Sequence, residues 1–167
     1  VGHSARTAPF FRTAIGSKQI QKFLEMNLQN PTIKTYNMAT IFTKIVNGEI
    51  PCFKIAEDEN YFAFLDINPI KKGHTLVIPK VEEDYIFNLD DNTLAGLSVF
   101  AKKVAKAIEK TIPCLRIGVA VMGLEVPHTH IHLVPMEREK DLNFSNPKLK
   151  IDPIEMEEIA SKIRANF

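Results

Sequence analysis

Three of the chain's five histidines occupy alternate positions in one short stretch, His128-Thr129-His130-Ile131-His132. Alternation with a period of two is the pattern of a β-strand, in which successive side chains point to opposite faces. We therefore predict a strand over residues 126–136, with Thr129, Ile131 and Leu133 facing a core. The three imidazoles would line the opposite face, roughly 6.5–7 Å from one to the next.

A row of imidazoles on one face has three possible explanations. Neutral imidazole is a common zinc ligand, but neighbouring strand positions rarely complete a metal site, and no Cys or acidic residue is spaced to help. The row can also be a histidine-rich strand edge without a role. In the third interpretation, one ring attacks phosphorus while its neighbours donate to phosphoryl oxygens and the leaving group. The pattern alone leaves all three open and slightly favours phosphate chemistry.

Residues 127–135 read PHTHIHLVP, which resembles the histidine triad (HIT) signature, His-φ-His-φ-His-φ-φ, where φ is apolar. This family comprises nucleotide hydrolases and transferases. Residues 41–51 resemble its opening block, and residues 62–69 together with 73–80 resemble its second block. The three blocks stand in the family's order and cover roughly Ala39 to Met136. A lone His-x-His-x-His would be a weak signal, and the three blocks together are a strong one.

Length and composition are those of one ordinary globular domain. The chain has 167 residues, of which 45% are hydrophobic and 25% charged, with a net charge of +1. We expect neither a nucleic-acid nor a membrane partner, because the charge is balanced and no apolar run approaches the roughly 20 residues of a membrane span. The two cysteines, Cys52 and Cys114, form no Cys-x-x-Cys pair and indicate reduced thiols and a cytoplasmic location.

Residues 1–37 differ from the rest, with five basic residues and one acidic residue. A basic, acid-poor leader resembles an organelle transit peptide. Because Met38-Ala39-Thr40-Ile41-Phe42 resembles a natural start for the family, an extension outside the fold is the favoured alternative. We expect residues 1–37 to be disordered.

The remaining pattern predicts an α+β fold. Strands are predicted at residues 53–57, 61–66, 74–79, 115–121 and 126–136, and helices at residues 41–48, 89–111 and 152–165. The helix at 89–111 has one apolar face, formed by Leu94, Leu97, Ala101, Val104 and Ile108. We expect an antiparallel sheet of about five strands with this long helix on one face. Residues 38–150 would form the HIT domain, with residues 151–167 as a C-terminal helix packed on or near it. The resemblance implies a HIT-like fold and a homodimer with a continuous sheet.

The resemblance also implies catalytic roles. His130 would be the nucleophile that forms a nucleotidyl-histidine, which water then resolves. His132 would stabilise phosphoryl oxygens or assist the leaving group, and His128 would orient its neighbour. A purely structural histidine is an alternative for both His128 and His132.

Further positions match the family's nucleotide site. Asp66 would contact the ribose hydroxyls, or else cap a turn before Asn68-Pro69. The apolar slot for a purine base would comprise Ile41, Phe42, Ile45, Phe64 and Ile67, which the pattern alone would assign to the core. His74 and Glu125 would lie around the triad. His74 can equally be a buried structural histidine, and Glu125 can relay protons or repel phosphate.

The chain departs from the family's pattern at two places. Many members bind zinc through Cys-x-x-Cys and a further histidine, whereas the matching positions here are Thr40, Thr43 and Glu82, so we predict no metal and no cofactor. Members of the nucleoside phosphoramidase branch have Gln four residues before the first histidine, where this chain has Leu124. This departure affects the expected assistance to the leaving group and the expected substrate, but not the assignment of the nucleophile.

The resemblance therefore implies a hydrolase of purine nucleoside 5′-phosphoramidates, with an AMP-like nucleotide as its partner. One alternative is hydrolysis of dinucleoside polyphosphates, or nucleotidyl transfer, through the same intermediate. A different class is a nucleotide-binding scaffold with little turnover.

Overall fold

The computed structural model describes residues 39–167, so the disorder expected for residues 1–37 lies outside the described part. The strands are β1 (Lys54–Glu57), β2 (Tyr61–Leu65), β3 (Thr75–Pro79), β4 (Arg116–Ala120) and β5 (Ile131–Met136). The α-helices are α1 (Ile41–Val46), α2 (Asp91–Thr111) and α3 (Pro153–Arg164), with short 3-10 turns at Ile86–Asn88 and Glu139–Leu142. None of these helices is both long and apolar enough to cross a membrane.

The strands form one antiparallel sheet in the order β1-β2-β3-β5-β4. The predicted α+β fold, a five-stranded antiparallel sheet with a long helix on one face, is confirmed. β5 lies between β3 and β4, where Leu76 and Ala120 both pair with His132. The last histidine of the row is therefore held from both sides by the sheet.

The two faces of the sheet bury different clusters. Helices α2 and α3 cover one face, where Val77, Ile131 and Leu133 contribute to the larger core. On the other face Phe62, Phe64, Leu76 and Ile78 pack with Phe42 and Ile45 of α1. Because Ile131 and Leu133 of β5 face the larger core, His132 between them faces the α1 side. Contacts with Phe42 of α1 place the rings of His128 and His130 on that side as well.

Aspartate side chains cap the first turns of the two longer helices, α2 and α3. The carboxylate of Asp90 accepts hydrogen bonds from the backbone N–H groups of Asn92 and Thr93, which fixes the start of α2. Asp152 does the same for Ile154 at the start of α3, where Pro153 occupies the first turn. Four apolar side chains of α3 enter the larger core: Met156, Ile159, Ala160 and Ile163.

The predicted start of the triad strand is wrong, because β5 begins at Ile131 and not at residue 126. Residues 124–128 bend after Gly123, whose φ is +67°. The N–H of His128 donates to the carbonyl of Val126 at 2.8 Å, and that of Thr129 donates to the carbonyl of Glu83 at 2.6 Å. These backbone groups are thus bonded outside the sheet ladder, and only His132 of the three histidines lies in a strand.

Candidate active site

The rings of His130 and His132 lie closer together than the spacing expected along a regular strand. The ring centroids of His130 and His132 are 4.9 Å apart, against the roughly 6.5–7 Å expected along a strand. Both residues are only 7% exposed, and His128 is fully buried. Phe42 of α1 presents its ring edge-to-face to both His128 and His130, with centroid distances of 5.8 and 5.2 Å.

His130 is oriented by the main chain. Its Nδ1 lies 2.6 Å from the carbonyl oxygen of His128. A carbonyl can only accept a hydrogen bond, so Nδ1 carries the proton in this contact, and in the neutral ring Nε2 keeps its lone pair. The backbone therefore selects the tautomer in which the remaining nitrogen can act as a nucleophile.

His128 is held at both ring nitrogens. Its Nε2 donates to the carbonyl of Pro79 at 2.9 Å, and its Nδ1 lies 2.9 Å from Oγ1 of Thr40. With Nε2 protonated, the neutral ring accepts from the Thr40 hydroxyl through Nδ1. Burial lowers the pKa of His128, which favours this neutral form. The residue thus ties the start of α1 to the end of β3.

A polar chain continues from Thr40. The N–H of Thr43 donates to Oγ1 of Thr40 at 3.1 Å, and the Thr43 hydroxyl donates to the carboxylate of Glu82. Thr40 is also the N-cap of α1. The three side chains therefore form one hydrogen-bonded group that ends at His128.

His132 faces His74, with His132 Nδ1 and His74 Nε2 3.0 Å apart. Burial lowers the pKa of His132 to about 3 and that of His74 to about 4, and the neighbouring positive charges act in the same direction. Both rings are consequently neutral near pH 7.

The tautomer of His74 decides what His132 can do. Nδ1 of His74 lies 3.4 Å from both the Asp66 carboxylate and the Ile70 N–H. A proton on Nδ1 points to Asp66 and makes His74 Nε2 an acceptor from His132. In the other tautomer Nδ1 accepts from Ile70, Nε2 donates to His132, and Nε2–H of neutral His132 becomes available as a donor.

Two cavities meet at His130 and His132. The first, of about 240 Å³, is lined by all five residues predicted for the base slot. Ile41 and Ile67 are 47% and 69% exposed, so they form its accessible rim. The second cavity, of about 400 Å³, is lined by the same two histidines. Both cavities share the same central residues, namely Asp66, Asn68, Glu125, His130 and His132.

The site includes residues that the sequence reasoning did not select. Phe144, Ser145 and Lys148 line the second cavity, and Cys52 and Leu76 line the first. Phe144 packs edge-to-face on His132 with a centroid distance of 4.8 Å. An aromatic residue in the polar stretch 137–150 was the available signal for this contact.

The fold is α+β with one antiparallel sheet, and it buries three closely spaced histidines, two of which line both cavities. These features are those of a histidine triad domain. The family model described as "HIT domain" matches residues 47–139, more than half of the chain. The chain therefore belongs to the HIT family.

Relatives and solved structures agree with this assignment. Adenosine 5′-monophosphoramidase hnt1 of Schizosaccharomyces pombe is 41% identical over 133 residues, which cover 76% of this chain and all of the relative. A Hit-like protein of Bartonella henselae matches with a TM-score of 0.68 and 32% identity, covering 79% of this chain and 98% of that one. A zinc-bound histidine triad protein of Mycobacterium smegmatis matches with a TM-score of 0.66 and 32% identity, covering 77% and 93%.

At the positions that match the family's zinc ligands, the residues of this chain do not suit a zinc ion. Thr40, Thr43 and Glu82 come together beside His128, but protein zinc sites use thiolate, imidazole and carboxylate ligands, and two of these three positions are neutral hydroxyls. Within residues 39–167 the side chains close enough to share a metal are Asp66, His74 and His132, all within 4.8 Å. The facing nitrogens of those two rings already bond each other. The absence of a metal stays a prediction.

Proposed function

We propose that the chain hydrolyses purine nucleoside 5′-phosphoramidates, or related nucleoside phosphates, through a nucleotidyl intermediate on His130. The observation that supports this most directly is the bond from His130 Nδ1 to the His128 carbonyl, because it leaves Nε2 free as the attacking atom. Family membership and the phosphoramidase relative support nucleotide hydrolysis as the general activity.

The reaction has two displacements at phosphorus. In the first, Nε2 of His130 forms a bond to phosphorus, the bond to the leaving amine breaks, and the amine departs with a proton. Water supplies that proton, because neutral His132 would become an imidazolate if it lost its own. In the tautomer that donates outward, the Nε2–H of His132 instead donates a hydrogen bond to a phosphoryl oxygen and keeps its proton. In the second, water attacks phosphorus and releases a proton to the solvent, and the bond to His130 breaks. The products are a nucleoside monophosphate and the free amine.

The two cavities suggest how the substrate lies. The smaller cavity has an apolar wall suited to a purine base, with Phe42 and Phe64 in edge-to-face contact 5.5 Å apart. Asp66 stands where this cavity meets the histidines, and its Oδ1 accepts the N–H of Asn68 at 2.8 Å. A carboxylate fixed in this way suits the ribose hydroxyls. We therefore place the nucleoside in the smaller cavity.

Two alternatives use the same site. Hydrolysis of dinucleoside polyphosphates, or nucleotidyl transfer, needs the same intermediate and differs only in the leaving group or acceptor. A nucleotide-binding scaffold with little turnover is favoured by Leu124, which is 93% exposed at the rim of the larger cavity and offers no polar group.

Assembly and location belong to the same proposal. β4 is an edge strand of the described sheet, and Val119 on it is 61% exposed, which supports a homodimer with a continuous sheet. The unpaired thiols of Cys52 and Cys114 support a cytoplasmic location.

The test is the intact mass of the protein after brief incubation with adenosine 5′-phosphoramidate. We expect a nucleotidyl adduct or release of AMP by the wild type, and neither by His130→Ala. An adduct that persists in His130→Ala would place the nucleophile elsewhere. Thermal stabilisation of the wild type by AMP without adduct or turnover would instead favour the scaffold.

A further inference from the structure

The larger cavity is the part of the site that the nucleoside leaves free. It shares His130 and His132 with the smaller cavity and extends away from it towards Phe144, Ser145 and Lys148. With the base in the smaller cavity and phosphorus at His130, the substituent on phosphorus points into the larger one. The lining of this cavity therefore bears on the leaving group.

Among residues 39–167, Lys148 is the only lysine or arginine that lines this cavity. Its Nζ donates to the carbonyl of Phe144 at 3.3 Å and lies 5.7 Å from the centre of the Phe144 ring. Within residues 39–167 it forms no salt bridge, so its charge is not neutralised by a fixed carboxylate there.

The segment that carries Lys148 is anchored to the rest of the site. The N–H of Leu149 donates to the carbonyl of Pro69 at 2.8 Å, and the side-chain amide of Asn146 donates to the carbonyl of Lys140 at 2.8 Å. Phe144 packs on His132 from the same segment. Burial is the main reason that the pKa of His74 is low, and the charge of Lys148 is the next. Lys148 therefore lines the same cavity as His130 and His132 from an anchored segment.

Two carboxylates also line the cavity. Asp66 faces the Asn68 N–H and the His74 ring, and is assigned to the ribose. Glu125 is exposed on the loop before the triad. Neither is paired with Lys148.

We propose that Phe144, Ser145 and Lys148 form the subsite for the leaving group and favour an amine that carries a carboxylate. Lys148 pairs with the carboxylate, and the Phe144 ring covers the carbon chain between the carboxylate and the amine. The proposal names the substrate class of the same site and rests on the proposed function.

The test compares two adenosine 5′-phosphoramidates of equal size, one linked through nitrogen to β-alanine and the other to β-alanine amide. They differ by one negative charge at the end of the leaving group. The quantity measured is the ratio of kcat/KM for the acid to kcat/KM for the amide. We expect Lys148→Gln to lower this ratio by about 1.5- to fivefold, the range for an ion pair with an exposed lysine.

Two variants serve as controls. Lys148→Arg retains the charge and should keep most of the preference, whereas Lys150→Gln removes a lysine that does not line the cavity and should leave the ratio unchanged. Raising the salt concentration should reduce the preference in the wild type. An equal ratio in the wild type and Lys148→Gln would overturn the subsite.

A binding measurement separates this proposal from the proposed function. In a His130→Ala background the two compounds remain intact, and calorimetry gives their dissociation constants with Lys148 or Gln at position 148. If neither compound is hydrolysed by the wild type, the proposed function fails, and the ratio of dissociation constants still decides the subsite. Lys148-dependent preference for the acid supports it, and equal binding of both compounds overturns it.

Discussion

Acid should destabilise this protein through the buried pair His74 and His132. Burial holds their pKa values at about 4 and about 3, whereas an unfolded histidine titrates near 6.5. Between these values the unfolded chain binds protons that the folded chain does not. The free energy of unfolding therefore falls as the pH falls below about 6.5, and the pair has no such effect above it.

The magnitude follows from the linkage relation. Each pH unit below about 6.5 lowers the free energy of unfolding by about 1.4 kcal/mol per buried histidine. At pH 5 the loss is about 2 kcal/mol for each ring, or about 4 kcal/mol for the pair, against a total of about 5–15 kcal/mol for a typical domain. His128, whose pKa is also lowered by burial, adds to the loss in the same direction.

The window from pH 7 to pH 5 isolates the histidines. The pKa values of Glu57, Asp90 and Asp141 are lowered by hydrogen bonds, so these carboxylates lose their contribution only at lower pH. Urea unfolding followed by circular dichroism at half-unit steps gives the slope of stability against pH. NMR of the histidine ring signals gives the pKa values of the individual residues.

His74→Asn provides the internal comparison, because it removes one of the titrating rings and should reduce the slope between pH 6.5 and pH 5 by about one proton. A stability that is flat between pH 7 and pH 5 would refute the reasoning. So would ring signals of His74 and His132 that titrate near 6.5, since burial would then not exclude the charged form.

Two further substitutions test local contacts, one beside His128 and one between α2 and β2. Thr43→Val removes the hydroxyl that donates to Glu82, and we expect the free energy of unfolding in urea to fall by about 1–2 kcal/mol. Thr43→Ser keeps the hydroxyl and serves as the control. An equal loss in both variants would contradict the role of this hydrogen bond. Gly96→Ala would ordinarily stabilise a helix by about 1 kcal/mol, but here the new Cβ would lie 2.1 Å from the Tyr61 hydroxyl, which donates to the Thr93 carbonyl. We expect a lower Tm by calorimetry, and a raised Tm would show that Tyr61 moves aside freely.

The elements that the sequence predicted well are those with local causes. The apolar face of α2 depends on residues within a few positions of one another, and the structure has it. The start of β5 was not predictable in this way. The backbone N–H of His128 donates to Val126, and that of Thr129 donates to Glu83, which is 46 residues away in the sequence. The alternation of apolar and polar residues carries no information about such a distant contact.

The same contrast holds for the candidate site. The alternating histidines placed the imidazoles on one face, but their pattern left the chemistry open, and the base slot followed from the family resemblance alone. Phe144 and Lys148 reach the site because their segment is bonded to Pro69, far away in the sequence. Such a contribution depends on how a surface segment folds back, which local propensity does not encode.

The bond from His130 to the carbonyl of His128 has a consequence for how the site tolerates change. Because the acceptor is a main-chain atom, every possible residue at position 128 retains it. A substitution there alters the packing of a ring without deleting the group that orients the nucleophile. To transfer this arrangement to another scaffold, a designer would need to copy the shape of a tripeptide, with no additional acidic or amide side chain to place.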